Sequence, residues 1–365
     1  MKTVRPVVLL ALGLVVAATT SAAAASAAPQ APAAQPALAR VVILATGGTI
    51  AGVQPKEGEA GYKSGSVSVE SLVKAAPGLE KLASIRGEQI ASIGSQDMND
   101  FVWMKLARRA AELLASPDVD GIVVTHGTDT LEETAFFLDL VLKSDKPVVL
   151  VGSMRPSTEL SAEGPSNLYS GMAVAADPAA RGRGVLVVAN DTVHSARAVQ
   201  KTHTTAVHTF VSVHRGPVAE AVKGTKTIYF APPAVTAPKG RFSIAGIDAL
   251  PRVDIVYAHE NADGALVKAA LAAGAKGIVL AGVGDGNATK EMIDALAEAA
   301  KGGVVVVRAT RVGSGIVRRN IEVDDDKLGF VAAQELNPQK ARVLLRLALT
   351  KTRDVQGVQA IFDEN

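Results

Sequence analysis

The sequence predicts an α/β protein: a larger N-terminal α/β domain on a mostly parallel sheet, followed by a smaller C-terminal α/β domain. Three observations lead there. Short apolar runs of strand length recur, as VVILAT, GIVVT, PVVLVG and GVLVVAN in the first part and VDIVYA, KGIVLAG and GGVVVVRAT in the second. Between them lie stretches of helical periodicity such as FVWMKLARRAAELL, LEETAFFLDLVL and ATKEMIDALAEAA. Continuous apolar runs flanked by Gly and Asp and separated by amphipathic helices are the pattern of βαβ units covered on both faces. Finally, 365 residues exceed what one core fills, and the alternation lapses once, over residues 231–251, APPAVTAPKGRFSIAGIDALP, which holds four Pro. That segment is the expected linker between an N-terminal domain at 40–230 and a C-terminal domain at 252–365.

The first 28 residues are of another kind. Lys2 and Arg5 precede the apolar run VVLLALGLVVAA, and TTSAAAASAAP follows with several small-residue cleavage sites, so residues 1–28 read as a secretory signal. An uncleaved membrane anchor is the alternative; the abrupt shift to Ala, Ser and Thr favours cleavage and export. Residues 29–39 read as a Pro-spaced flexible arm. Removing Lys2 and Arg5 takes the formal charge from +2 to 0, which leaves no general attraction to nucleic acid or acidic membranes. With no Cys there is neither a disulfide nor a lipid-anchor residue.

In open parallel sheets ligands bind beyond the carboxyl ends of the strands, where helix N-termini present free N–H groups. Four polar junctions follow apolar runs in the first domain: TGGTIAG at 46–52, GSQDMND at 94–100, THGTDT at 125–130 and NDTVHSARAVQKTHTT at 190–205. In TGGTIAG the glycines let the backbone turn and approach a ligand, placing Thr49 at the mouth. A Thr hydroxyl needs a base or relay to attack anything at neutral pH; the alternative for Thr49 is ordinary helix capping. Tyr62, in the loop EAGYKSGS, is placed to close over it. In THGTDT, Thr130 stands three before Glu133, the spacing of a capping box, so its hydroxyl is expected at the helix N-terminus. Thr128 and Asp129 are left for chemistry, with an Asx-turn as the plain alternative. Lys201 reads either as a solvated surface charge or, beside Asp129 and Thr128, as a group that takes a proton from a hydroxyl while a carboxylate holds it in place.

Other motifs carry less. AGVGDGN at 281–287 lacks the third Gly of a dinucleotide loop, and Arg308 rather than an acid lies about twenty residues on. No P-loop or H-E-x-x-H pattern occurs, the His residues show no metal-ligand spacing, and EVDDDK at 322–327 reads as a solvated acidic turn.

ILATGGTIAG and THGTDTLEET, with GSQDMND, DKPVV, MRPST, GVLVV, KTHTT, AGVG, EVDD and NPQKARVLL, resemble the bacterial L-asparaginases, most closely the secreted type II enzymes, from about Val41 to Phe362. The resemblance implies hydrolysis of the side-chain amide of asparagine, with lesser use of glutamine and no metal or cofactor. It implies Thr49 as nucleophile assisted by Tyr62, a second set of Thr128, Asp129 and Lys201, and Ser95 and Gln96 as ligands of the substrate's α-carboxylate and α-amino groups. Ser153 falls near the substrate amide. It further implies a homotetramer of intimate dimers in which Asn287 and Glu322 complete a neighbour's site. An exported two-domain protein also suits a periplasmic amino-acid binder without turnover; capture alone needs charges and no activated hydroxyls, which favours the enzyme.

Overall fold

The computed structural model describes residues 37–54, 63–233 and 241–365. The expected signal at 1–28, most of the arm, and Tyr62 lie outside the described residues. Leu38–Asn365 form one compact unit.

Its strands and helices alternate as the sequence predicts. β1 (Ala39–Gly47), α1 (Val69–Lys74), β2 (Ala83–Ile93), α2 (Asp100–Ala115), β3 (Gly121–Thr125), α3 (Leu131–Val141), β4 (Val148–Val151), α4 (Gly164–Ala176) and β5 (Val185–Ala189) come first. Short strands follow: β6 (Thr192–Ser195), β7 (Val199–Lys201), β8 (Phe210–Ser212), β9 (Ala219–Glu220) and β10 (Ile228–Tyr229). The last third holds β11 (Val253–Tyr257), α5 (Ala265–Ala272), β12 (Gly277–Gly282), α6 (Lys290–Lys301), β13 (Val305–Thr310), α7 (Asp325–Leu328), β14 (Phe330–Ala332), α8 (Pro338–Ala348) and α9 (Val355–Glu364).

The large sheet has eight strands in the order β10-β9-β6-β5-β4-β3-β1-β2. Strands β2, β1, β3, β4 and β5 are parallel, and β6, β9 and β10 extend the sheet antiparallel. The reason for uninterrupted apolar runs is visible in β1. Val42 and Leu44 face the core that holds α2 and α3, while Val41, Ile43 and Ala45 face the core that holds α1 and α4. Residues 122–124 and 148–151 divide the same way, so period-two alternation survives as a choice between two buried faces. The chain visits β2 on one side of β1 and β3 on the other, which opens a crevice at the carboxyl ends of β1 and β3.

The smaller sheet, β11-β12-β13-β14, is wholly parallel. Ile278 and Leu280 of β12 pack with α5 and α6, whereas Val279 faces the core shared with α8. Helix α8 also packs against α3, so one continuous core runs from beneath the large sheet to beneath the small one. The expected linker contributes to it: Phe242 and Leu250 are buried there, anchors that the Pro-rich composition obscured.

Two expectations need correction here. Residues 190–205, read as a polar junction, contain β6 and β7, whose Thr, His, Ser, Gln and Lys masked the buried Val193 and Val199. EVDDDK is not simply a solvated turn, because Asp325 is fully buried and pairs with the equally buried Arg308 at 2.6 and 2.7 Å. The remaining guanidinium N–H groups donate to the carbonyls of Asp285, Gly286 and Arg318, so every donor of Arg308 is used. Removing one partner of such a pair leaves a buried charge, so Asp325→Ala should lower the free energy of unfolding by about 3–5 kcal/mol. The double replacement Arg308→Met with Asp325→Leu should recover most of that loss, as read from urea unfolding midpoints.

Candidate active site

The end of β1 and the end of β3 meet backbone to backbone. Ala45 pairs with Thr125, and the Thr46 hydroxyl donates to the Thr125 carbonyl at 2.9 Å. Beyond that point Gly48 has φ +82°, and a Cβ there would lie 2.2 Å from the Gly127 nitrogen. Gly127 in turn leaves no room for a side chain, since its Cβ would lie 2.6 Å from the Ser95 Oγ. Three of the four predicted junctions are thus in direct contact, through atoms that only glycine permits. Thr49, in the single 3-10 turn Thr49–Ala51, and Thr128 flank this contact, and both are buried.

Ser95 begins the turn Ser95–Asp97 after β2. Its hydroxyl accepts from the Asp129 N–H at 3.1 Å, which leaves its own O–H to donate. Its carbonyl accepts the Thr130 hydroxyl at 2.8 Å. The capping-box expectation for Thr130 is therefore wrong: Thr130 is the N-cap residue of α3 but makes no side-chain cap bond, because the packed loop offers a nearer acceptor. Gln96 is exposed and donates to Asp97 at 3.3 Å.

Lys201 arrives from the end of β7. Its Nζ donates to Thr128 Oγ1 at 2.9 Å and to Asp129 Oδ1 at 2.7 Å. The lysine side chain is mostly covered, while that of Asp129 is 54% exposed, so the carboxylate holds the ammonium and still faces solvent. The solvated-charge alternative for Lys201 does not describe this arrangement. Ser153 is buried after β4 with its hydroxyl donated to the Arg155 carbonyl. Asn287 and Glu322 form a cluster of their own, joined by a 2.8 Å bond from the Asn287 amide to the Glu322 carboxylate. Both sit on loops that Arg308 and Asp325 tie together.

Two buried groups that the sequence did not single out support the residues of this cluster, His126 beneath the Gly127 loop and Glu132 at the Lys201 backbone. His126 lies under it with Nδ1 2.7 Å from the Gly127 carbonyl, so that nitrogen carries the proton, and the Thr134 hydroxyl donates to Nε2 at 2.9 Å. The Trp103 indole N–H donates to Thr134 Oγ1 at 2.9 Å, closing the chain. Burial pushes the His126 imidazole down to about 4, so it stays neutral and structural. Glu132, on the apolar face of α3, is the second; an acid among Leu131, Ala135 and Phe136 is the signal that marks it.

Family models described as "Asparaginase, N-terminal" and "Glutaminase/Asparaginase C-terminal domain" match residues 40–234 and 252–362. The chain is 52% identical over 328 residues to "L-asparaginase 2" of Escherichia coli, covering 90% of this chain and 94% of that protein. It is 51% identical over 331 residues to "Probable L-asparaginase periplasmic" of Haemophilus influenzae, covering 90% and 93%. Among solved structures it resembles "Probable Cytoplasmic L-asparaginase from Campylobacter jejuni", with a TM-score of 0.85 and 46% identity over 90% of this chain and 100% of that one.

The buried titratable groups set a pH dependence. His126 and His194 are both pushed down by burial from 6.5 to about 4, so near pH 5.5 each is neutral when folded and takes up a proton on unfolding. Glu133 is pushed up by burial from 4.5 to about 7 and gives one up over the same range. The net uptake is close to one proton, so the free energy of unfolding should fall by about 1.4 kcal/mol per pH unit on acidification from pH 6 to 5. Urea midpoints across that interval measure it, and a flat profile would contradict the assignment.

Proposed function

Because the chain belongs to the asparaginase family, we propose that it hydrolyses the side-chain amide of L-asparagine to L-aspartate and ammonia by threonine chemistry, with minor action on glutamine. The observation that carries this reading is the Lys201 ammonium shared between Thr128 and Asp129 beside the Gly48–Gly127 contact. A hydroxyl next to a lysine is a proton carrier in both directions. It accepts a bond from the ammonium and donates to the neutral amine.

In this reading Lys201 acts in its neutral form: as the Thr49 oxygen attacks the amide carbon, the Thr49 proton passes to Thr128, which hands its own to the Lys201 amine. A proton returned by this relay goes out on the leaving ammonia, and water then cleaves the Thr49 ester to release aspartate. Tyr62 assists Thr49. Ser95, with an O–H left to donate, binds the substrate α-carboxylate, and Gln96 and Asp129 bind its α-amino group, which fixes the amide against the nucleophile. Ser153 borders the amide. Asparagine is preferred; the family name covers both amides.

Family members are typically oligomers. The finer proposal is a homotetramer of intimate dimers, in which Asn287 and Glu322 face the substrate of a neighbouring subunit. Their separate cluster and mutual bond suit donation as a unit. The basic and apolar N-terminal 28 residues support export to the periplasm or medium.

Thr49→Ala and Lys201→Met should each lower ammonia release from asparagine by at least about a thousandfold while assembly mass is unchanged. Full activity in both would end the mechanism. Shared sites have a further signature. Thr49→Ala and Glu322→Ala enzymes, each inactive, should regain about a quarter of the parent activity when unfolded together and reassembled, since half the dimers are mixed and each mixed dimer holds one intact site. Mixed assemblies, verified by mass tags, that stay inactive would refute the donation.

A further inference from the structure

Lys201 does not set its own position. It ends β7, a three-residue strand paired only with β8 in a two-stranded ribbon apart from the large sheet. A ribbon that short is marginal alone, so other groups must decide where Nζ points. Two of them grip its backbone. The Lys201 N–H donates to Glu132 Oε2 at 2.8 Å, and the buried Lys340 ammonium donates to the carbonyls of Val199 and Arg197.

Glu132 is 3% exposed, and its other oxygen accepts from the Asn337 amide at 3.0 Å and the Gln339 amide at 2.5 Å. Asn337 is the N-cap of α8, where its Oδ1 accepts the Lys340 N–H at 3.0 Å. That bond fixes which end of the Asn337 amide faces Glu132. We infer that Glu132 is a positioning residue for Lys201, its carboxylate holding the end of β7 at the first turn of α8 so that Nζ reaches Thr128 and Asp129. The inference rests on the proposed proton-carrying role of Lys201.

The chemistry of the surroundings explains why an acid is required. Every group described around this carboxylate is a donor, and an ionised carboxylate accepts on both oxygens. A glutamine would aim an NH2 either at the Lys201 N–H or at the two amides of α8. Gln339 can turn its amide over, whereas Asn337 can do so only by giving up its cap. The strained partner is then β7, and the displacement falls on Lys201. Ser95, Gln96 and Asp129, which bind the substrate in this reading, are carried by the loops after β2 and β3 and not by β7, so the effect should appear first in the chemical step.

We therefore expect Glu132→Gln to lower kcat on asparagine by about tenfold with KM within about threefold of the parent. Pairing it with Gln339→Glu restores the polarity of the bonds: the new amide gives its oxygen to the Lys201 N–H and its NH2 to the new carboxylate. The pair should recover most of kcat. A kcat for Glu132→Gln within twofold of the parent overturns the inference. So does a loss that follows the drop in melting temperature and is not recovered in the pair, because that marks a structural strut. If Glu132→Gln does not assemble, Gln339→Leu answers the same question, with a fall in kcat of about threefold at constant KM expected and an unchanged kcat contradicting it. Lys201→Met is measured alongside: activity retained there defeats the role of Lys201 itself, and activity lost there with Glu132→Gln unimpaired defeats only the positioning.

Discussion

The close approach of two backbones, at Gly48 and Gly127, is the constraint on which the site depends. Adjacent parallel strands β1 and β3 bring their following turns to the same edge, but turns bearing side chains at these positions would be held apart. With 2.2 Å between an ideal Cβ on Gly48 and the Gly127 nitrogen, only hydrogen fits. The consequence is that the hydroxyl-bearing residues next in line, Thr49 and Thr128, flank one contact. Beneath it Trp103, Thr134, His126 and the Gly127 carbonyl form one bonded series that holds the loop in place.

A second constraint acts over a longer span of chain. Helix α8 belongs by sequence to the last third of the protein, yet it packs on α3 and shares a core with both sheets. Its N-terminal turn is what meets Glu132 and the carbonyls of Arg197 and Val199. The lysine at the site is thus referenced to the small-sheet half of the molecule as well as to its own neighbours. In that half, Arg308 does for the Asn287 and Glu322 loops what α8 does for β7: one buried side chain, fully satisfied, binds three segments at once.

How much of this was legible depends on the range of the interaction. The parallel strands were readable because burial on both faces makes their runs continuously apolar, and the strand-end junctions were readable because turns there need Gly and caps need Ser, Thr, Asn or Asp. Thr128, Asp129 and Lys201 stood out by type, and the structure brings them together, but nothing in the spacing of 129 and 201 encodes the bond between them. Local reasoning failed at Thr130, where a tertiary acceptor, the Ser95 carbonyl, displaced the expected cap. It also failed at β6 and β7, where His194 and Lys201 bond to Ser212 and Thr128 in other segments, and at Asp325 of α7, whose buried cation lies seventeen residues earlier in β13. Glu132 was visible as an acid on an apolar face, but its purpose was not, because its partners lie 69 residues away at Lys201 and more than 200 residues away at Asn337 and Gln339.

The three acids at the start of α3 show how far environment, not residue type, assigns the work. Asp129, Glu132 and Glu133 all sit where the helix N-terminus favours negative charge. Asp129 is half exposed and bound to Lys201, so it meets the lysine and solvent at once. Glu132 is buried, but three N–H donors replace the water it has lost. Glu133, in a cleft with Trp103, Arg342 and Arg346, is desolvated enough to be pushed up to about 7 even with Arg342 opposing the shift. One helical turn thereby yields a charge that faces the site, a charge that holds a strand, and a carboxyl that is half protonated near neutrality. A sequence of three acids within five residues specifies none of these separately; the packing of α3 between the loop that precedes it and α8 does.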